Sequence, residues 1–419
     1  MNLPLKRVVV TGLGALTPIG NNVAEYWNAL TNGVSGADFI KQFDAEKFKT
    51  KFACELKDFK PEDFLERKEI KKLDRFSQIA MIAATEAVNN AGLDHPDLDK
   101  DRIGVIWSSG IGGMITFIEE MTNYNQGDGT PRFNPFFIPK LILDIAAGHI
   151  SMKYGFRGIN FATVSACASS THGLIDAFTY IRLGKANAIV TGGSEAVVTQ
   201  SGIGGFNAMK ALSERNDDPK TASRPFDLDR DGFVLGEGGG CIILEELEHA
   251  KARGANIICE LVGGGMTADA YHLTAPHPEG LGVINVMNLA LEDAQLKPSD
   301  IDYINVHGTS TPLGDIAEIT AIEKVFGEHS YNLNISSTKS MTGHLLGAAG
   351  AIEAIATILS IKNNVVPPTI NHFTDDPAIN PRLNLTFNTA QNRTVNAALS
   401  NTFGFGGHNA TVIFKKYAE

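Results

Sequence analysis

The chain predicts an α/β fold, with helices packed against largely β layers, and three patterns carry that reading. Ten short β-prone runs are spread from end to end, helical segments alternate with them, and one strand–turn–helix unit occurs twice. The runs fall at 7–10, 103–107, 160–164, 188–191, 241–244, 257–262, 301–306, 333–336, 396–399 and 410–414. The first reads as a buried strand ending in a glycine turn, Val10-Thr-Gly-Leu-Gly. Segment 70–91 places Leu73, Phe76, Ile79, Ala80, Ala83, Ala84 and Ala87 near a 3.6-residue spacing and stops at Gly92, a residue suited to a left-handed cap. Segments 281–294 and 348–361 follow the same logic. Pro, Asp, Asn and Gly concentrate at 123–135, 216–229 and 371–382, which read as loops. The repeated unit covers 164–183 and 335–359. Two similar halves, 1–255 and 256–419, facing each other would bring its two turns together.

A chain of 419 residues suffices for two average domains or one large α/β unit. Hydrophobic residues make up 43% and charged residues 20%, as in ordinary globular proteins. The net charge of −11, with no dense Lys/Arg tract, argues against nucleic acid as a partner. No apolar stretch nears the roughly 18–20 residues of a membrane span. The apolar run near the start is too short for a signal peptide. Cys54, Cys167, Cys241 and Cys259 form no C-x-x-C pair and no disulfide scaffold. The expectation is a soluble, cytoplasmic protein with reduced thiols.

Cys167 lies in Phe161-Ala-Thr-Val-Ser-Ala-Cys-Ala-Ser-Ser-Thr-His-Gly, where a β-prone run meets small residues and then helical periodicity. That places a thiol at or near the first turn of a helix, where free N–H groups and the positive end of the helix dipole favour a thiolate. A lone cysteine is more often a small buried hydrophobe. Two further segments change that reading. Val306-His-Gly-Thr-Ser-Thr-Pro-Leu-Gly-Asp and Lys339-Ser-Met-Thr-Gly-His-Leu-Leu-Gly-Ala-Ala-Gly each offer one histidine in a Gly- and Thr-rich turn. One cysteine and two turn-borne histidines point to covalent acyl chemistry. Nothing in their spacing requires a metal. The clusters Gly110-Ile-Gly-Gly, Thr191-Gly-Gly-Ser-Glu and Gly236-Glu-Gly-Gly-Gly lack the spacing of a dinucleotide fingerprint. They read as points where chain segments approach each other or a ligand closely.

Together with Arg224-Pro-Phe-Asp, Arg230-Asp-Gly-Phe-Val and Asn401-Thr-Phe-Gly-Phe-Gly-Gly-His-Asn, these segments resemble the signature motifs of the β-ketoacyl-acyl-carrier-protein synthases. The match is nearest to the type II elongating enzymes of fatty acid synthesis and runs from Arg7 to Phe414. It implies the thiolase fold, two duplicated halves in a five-layered α-β-α-β-α sandwich. The implied reaction is a decarboxylative Claisen condensation of an acyl group held on Cys167 with malonyl-acyl-carrier protein, which adds two carbons. By resemblance, the Cys167 and Phe405 backbone N–H groups form an oxyanion hole, and His307 and His344 donate hydrogen bonds to the enolate. Lys339 and Glu353 match a buried pair behind the site. Thr309 and Thr311 match hydroxyls on the pantetheine arm, Phe233 the aromatic beside the malonyl carboxylate, and Phe405 a gating phenylalanine. Ile111 and Phe206 match the acyl-pocket wall, and Asp315 is a further carboxylate at the substrate site.

The same resemblance implies no required cofactor, since the substrates carry phosphopantetheine on acyl-carrier protein, and a homodimer as the assembly. Asn305, Glu353, Ser400 and Asn401 resemble positions that hold a monovalent cation in some members. The basic stretch Arg67-Lys-Glu-Ile-Lys-Lys matches a carrier-docking segment, so Lys68, Lys71 and Lys72 are the docking candidates. His408 stands where threonine is frequent, and His172 follows the nucleophile by five residues. Two rival readings share the motifs: a ketosynthase of a specialised polyene or polyketide pathway, and a non-catalytic chain-length-factor-like partner. The second typically lacks the nucleophile that Cys167 supplies.

Overall fold

The computed structural model describes residues 5–418. Ten strands form its main sheet: β1 (Val8–Leu16), β2 (Ile103–Ser108), β3 (Asn160–Thr163), β4 (Ala188–Glu195), β5 (Gly238–Glu246), β6 (Cys259–Ala268), β7 (Tyr303–Asn305), β8 (Asn334–Ser336), β9 (Ala397–Gly404) and β10 (His408–Lys415). Every predicted run overlaps one of them. From one edge inward the first half reads β3-β2-β4-β5-β1, and from the other edge the second reads β8-β7-β9-β10-β6. The second order is the first with five added to each strand. Strand directions repeat as well: the outer three strands of each half are parallel and the inner two join antiparallel. A short antiparallel pairing of Val8–Val10 with Cys259–Leu261 connects the halves.

Six helices build the remaining layers: α1 (Arg75–Ala91), α2 (Ile145–Tyr154), α3 (Ser169–Arg182), α4 (Leu281–Ala294), α5 (Pro312–Phe326) and α6 (Ala349–Asn363). Helices α1 and α2 cover the outer face of the first half, and α4 with α5 beside it covers the second. Helices α3 and α6 pack on each other and on strands of both halves, so they form the middle of five layers. Position follows from composition. Helix α6 is mostly apolar all round, with Glu353 the one charged residue buried in it, and is buried from Ala349 through Ile361, as a helix covered on both faces must be. Helix α1 presents small residues to β1. A side chain on Gly12 or Gly14 would meet the carbonyl oxygens of Ala87 and Ala83, so only glycine permits this close approach.

Two expectations shift in detail. The helix predicted from residue 70 begins at Arg75, after a separate turn at Arg67–Ile70. Asp74 is the cause: its carboxylate caps Phe76 N–H at 3.2 Å and accepts from Thr116 N–H and hydroxyl. The loop expected from residue 123 begins at Gly127, because the helix Met114–Gln126 runs into it. Both copies of the strand–turn–helix unit are present, as β3 to α3 and as β8 to α6. They carry Cys167 on one turn and Lys339 and His344 on the other.

Candidate active site

The chain leaves β3, passes Ser165 and Ala166, and presents Cys167 just before the Ala168 cap of α3. Ala166 adopts φ +50, a left-handed conformation that non-glycine residues rarely take. Ser169 Oγ donates to Ala166 O at 2.6 Å and accepts from Ser165 N–H at 2.9 Å, which holds this turn. Cys167 is 7% exposed and opens onto a cleft of about 450 Å³. Phe206, Phe233, His307, Thr309, Thr311, His344 and Phe405 also line this cleft.

His344 Nε2 lies 3.1 Å from Cys167 Sγ. The His307 and His344 rings meet edge to face, 5.3 Å between centroids, and Phe233 packs on His344 at the same separation. Phe206 stacks edge-on behind Phe233. Burial, and after it the Lys339 ammonium, holds both imidazoles well below their ordinary pKa, so both rings are neutral. His307 keeps part of its ring open to the cleft, yet its packed surroundings still disfavour charge. Nδ1 of each ring is buried without a hydrogen-bond partner among the described residues.

The thiol departs from the expected thiolate. Burial pushes Cys167 up to about 11, against the opposing pull of Lys339 and of the Phe405 and Cys167 N–H groups. Cys167 precedes the helix and is only 7% exposed, so desolvation outweighs the helix terminus. At neutral pH the resting group is a thiol beside a neutral imidazole.

Lys339 and Glu353 form a fully buried ion pair behind the histidines. Burial raises Glu353 to about 7, opposed by Lys339. Asn305 Oδ1, Ser400 Oγ and Glu353 Oε2 are buried without a partner among the described residues, while Glu353 Oε1 meets only Lys339. Ser400 faces Asn305 across the β9–β7 ladder. Asn401 differs from the expectation, since strand neighbours point to opposite faces. Its amide donates to Glu318 and its oxygen accepts from Thr411.

Thr309 and Thr311 hydroxyls lie 3.0 Å apart on the cleft wall. Ile111 sits in the apolar cluster around Cys167 and Phe206 rather than on the open cleft. Asp315, expected at the substrate site, is fully buried and does not line the cleft. It accepts from Phe226 N–H and pairs with Arg230, whose guanidinium also donates to the Thr311 and Pro312 carbonyls. It therefore acts on the threonine-bearing turn through Arg230. Lys68, Lys71 and Lys72 are exposed on and after the Arg67–Ile70 turn, away from the cleft lining. His172 Nδ1 pairs with Ser165 Oγ at 2.6 Å, and its ring meets that of His408 edge to face. Burial and then His408 lower His172 to about 4.

Glu318 went unnoticed in the sequence. It accepts from the His307 and Gly308 N–H groups at 2.9 and 2.8 Å and from Asn401. Its place on α5, one turn after Asp315, was the available signal. Burial raises Glu318 to about 7, against about 4.3 for an unfolded glutamate. The folded chain therefore takes up this proton more readily. The contribution is fully present below about pH 4.3 and is lost as pH rises through 7. Glu318→Gln removes that dependence. Its urea stability relative to wild type is expected to move in the variant's favour between about pH 4.5 and 7, by on the order of 1 kcal/mol. A difference that stays constant across this window would contradict the assignment.

Residues 5–250 match the Beta-ketoacyl synthase, N-terminal domain family, and residues 258–373 match the Beta-ketoacyl synthase, C-terminal domain family. The chain is 51% identical over 413 residues to the 3-oxoacyl-[acyl-carrier-protein] synthase 2 of Staphylococcus aureus, covering 98% of this chain and 99% of that one. It is 50% identical over 418 residues to the protein of the same name in Synechocystis, covering 99% of each. Among solved structures, a Beta-ketoacyl synthase from Burkholderia phymatum matches with a TM-score of 0.91 at 36% identity, over 99% of this chain and all of that one. A type II PKS acyl-carrier protein in complex with its ketosynthase matches equally well, with the same score, identity and coverage. With both halves matched and half of all positions shared with full-length relatives, the chain belongs to the beta-ketoacyl synthase family.

Proposed function

We propose that this chain condenses an acyl group held on Cys167 with malonyl-acyl-carrier protein and so lengthens fatty acyl chains by two carbons. The observation that carries the reading is the joint placement of Cys167, His344, His307 and Phe233 in one cleft. Identity of about 50% over nearly the full chain to proteins named 3-oxoacyl-[acyl-carrier-protein] synthase 2, against 36% to the ketosynthase of a type II PKS, favours fatty acid elongation over a specialised pathway. A chain-length-factor role is disfavoured by an intact thiol in hydrogen-bond reach of an imidazole.

In this mechanism the Cys167 sulfur attacks the acyl thioester, and its proton leaves with the pantetheine sulfur. The Cys167 and Phe405 N–H groups stabilise the tetrahedral oxyanion. Malonyl thioester then loses CO2, and the electron pair of the broken C–C bond becomes an enolate whose oxygen accepts from His307 and His344. Phe233 beside His344 offers no donor to the malonyl carboxylate, which favours its departure as CO2. The enolate carbon attacks the acyl carbonyl, the carbon–sulfur bond breaks, and Cys167 leaves as a thiolate that takes a proton from solvent to restore the resting thiol. Thr309 and Thr311 bind the pantetheine arm.

The buried oxygens of Asn305 and Ser400 and the Glu353 oxygen turned away from Lys339 fit a monovalent cation, which would add a fixed positive charge beside the Lys339–Glu353 pair. The two halves are taken as 1–255 and 256–419. A second copy of the chain would cover the β3 edge, where an edge strand leaves backbone groups open to pairing. Among the described residues no helix is long and apolar enough to cross a membrane.

The reading is tested by mixing acyl- and malonyl-carrier proteins with the chain and measuring β-ketoacyl product. Reversing charge at Lys68, Lys71 and Lys72 should then raise the apparent KM for carrier substrates about tenfold or more, with kcat affected less. The effect should shrink in high salt, where the Debye length falls to about 3 Å near 1 M. A small pantetheine thioester should be used equally by both proteins. Equal losses on carrier and small substrate would mean the stretch is structural.

A further inference from the structure

Glu195 ends β4 with its side chain fully buried, and none of the steps above uses it. Its carboxylate is a meeting point of two loops. Oε2 accepts from Gly110 N–H at 2.7 Å and from Gly347 N–H at 3.0 Å. Oε1 accepts from the Ser109 hydroxyl at 2.9 Å and from Ile111 N–H at 3.2 Å, with Gly112 N–H at 3.4 Å. One loop carries Ile111, which packs in the apolar cluster with Cys167 and Phe206. The other follows His344 and carries Leu346, which belongs to the same cluster and lines the cleft. The loops touch at their glycines. A methyl group on Gly347 would overlap the Gly110 nitrogen, and one on Gly110 would stand 2.9 Å from Glu195 Oε2 and 3.5 Å from the Ala166 carbonyl. Three segments from both halves of the chain therefore converge here: the nucleophile turn, the Ile111 loop and the turn after His344.

We propose that Glu195 is a positioning residue for acyl-chain selection, whose carboxylate clamps the Ile111 and Leu346 loops together so that they form one fixed wall beside Cys167. The inference rests on the condensing function above, because a wall beside the nucleophile selects substrates only if Cys167 carries the acyl group. Four donors converge at 2.7–3.2 Å on two acceptor oxygens, with Gly112 N–H shared between Glu195 and Ser109 Oγ, an arrangement an anion satisfies and an amide cannot. In Glu195→Gln a single oxygen remains, and the new NH2 group faces backbone N–H groups that also donate. The loops must then separate. A short acyl group contacts only the surroundings of the sulfur, whereas a long one uses the wall over its length, so the loss falls on the long chain.

The test compares condensation of hexanoyl- and myristoyl-carrier primers by wild type and Glu195→Gln, well below the melting temperature of each. The myristoyl-to-hexanoyl ratio of kcat/KM is expected to fall about tenfold or more in the variant, the scale on which pocket walls discriminate. A ratio equal to that of wild type overturns the proposal, whether both rates are unchanged or both fall by one factor as a merely structural role requires. If Glu195→Gln does not fold, Ser109→Ala decides the matter by removing one donor from the same carboxylate. A fall in the ratio of about threefold is expected there, and an unchanged ratio overturns the clamp. Failure of wild type to condense either primer would instead remove the proposed function itself.

Discussion

Cys167→Ala is expected to lower condensation about 10³-fold or more while the protein stays folded. Without the sulfur no covalent acyl intermediate forms, and neither imidazole substitutes in the proposed mechanism, where both donate to an enolate. The change deletes one atom at a site that already opens onto the cleft, so melting should move little, on the order of 1 kcal/mol. Cys167→Gln should also block condensation yet raise malonyl decarboxylation, because its amide carbonyl reaches the oxyanion donors as an acyl group would. Product formation by Cys167→Ala at near wild-type rates would remove Cys167 from the mechanism.

His307→Ala and His344→Ala are each expected to lower malonyl decarboxylation about 10²-fold or more, the scale of losing one preorganised oxyanion donor. Both rings are held neutral by burial and by Lys339, so each offers an N–H without carrying charge. The two variants should differ in self-acylation by a labelled acyl donor. His307 does not touch the sulfur, and its loss should leave acylation within about tenfold of wild type. His344 Nε2 lies 3.1 Å from Sγ, and burial holds that thiol near 11. Removing this imidazole should slow acylation at neutral pH and make the rate climb more steeply towards alkaline pH, as the thiolate itself becomes populated. A His307→Ala protein unable to acylate but still able to decarboxylate would reverse these roles.

The site was legible in the sequence to the extent that it is built from contiguous turns. Cys167, His307, His344 and Phe405 each sit in a segment whose glycines and threonines mark a turn, and all four line one cleft. Glu318 and Glu195 escaped notice for the opposite reason. Each is a single carboxylate on a regular element, and its role lies in backbone N–H groups that come from other parts of the chain. Asp315 shows the converse error. Its segment is a motif, but its helix turns the carboxylate away from the cleft and onto Arg230. Asn401 follows the same rule on a strand, where the two-residue period aims it away from Ser400.

By itself the sequence determined the ten strands, the alternation with helices and the Cys/His set, because periodicity and turn chemistry are local properties of neighbouring residues. It also predicted the doubling of the fold, through one repeated strand–turn–helix unit that the matching strand orders extend to both halves. The tertiary structure alone decided the protonation of the site. A helix terminus near Cys167 suggested a thiolate, yet the pKa depends on how much water the folded chain removes from the sulfur, and burial prevails over every nearby donor. Desolvation and the Coulomb field of Lys339 act through space, so no spacing along the chain encodes their balance.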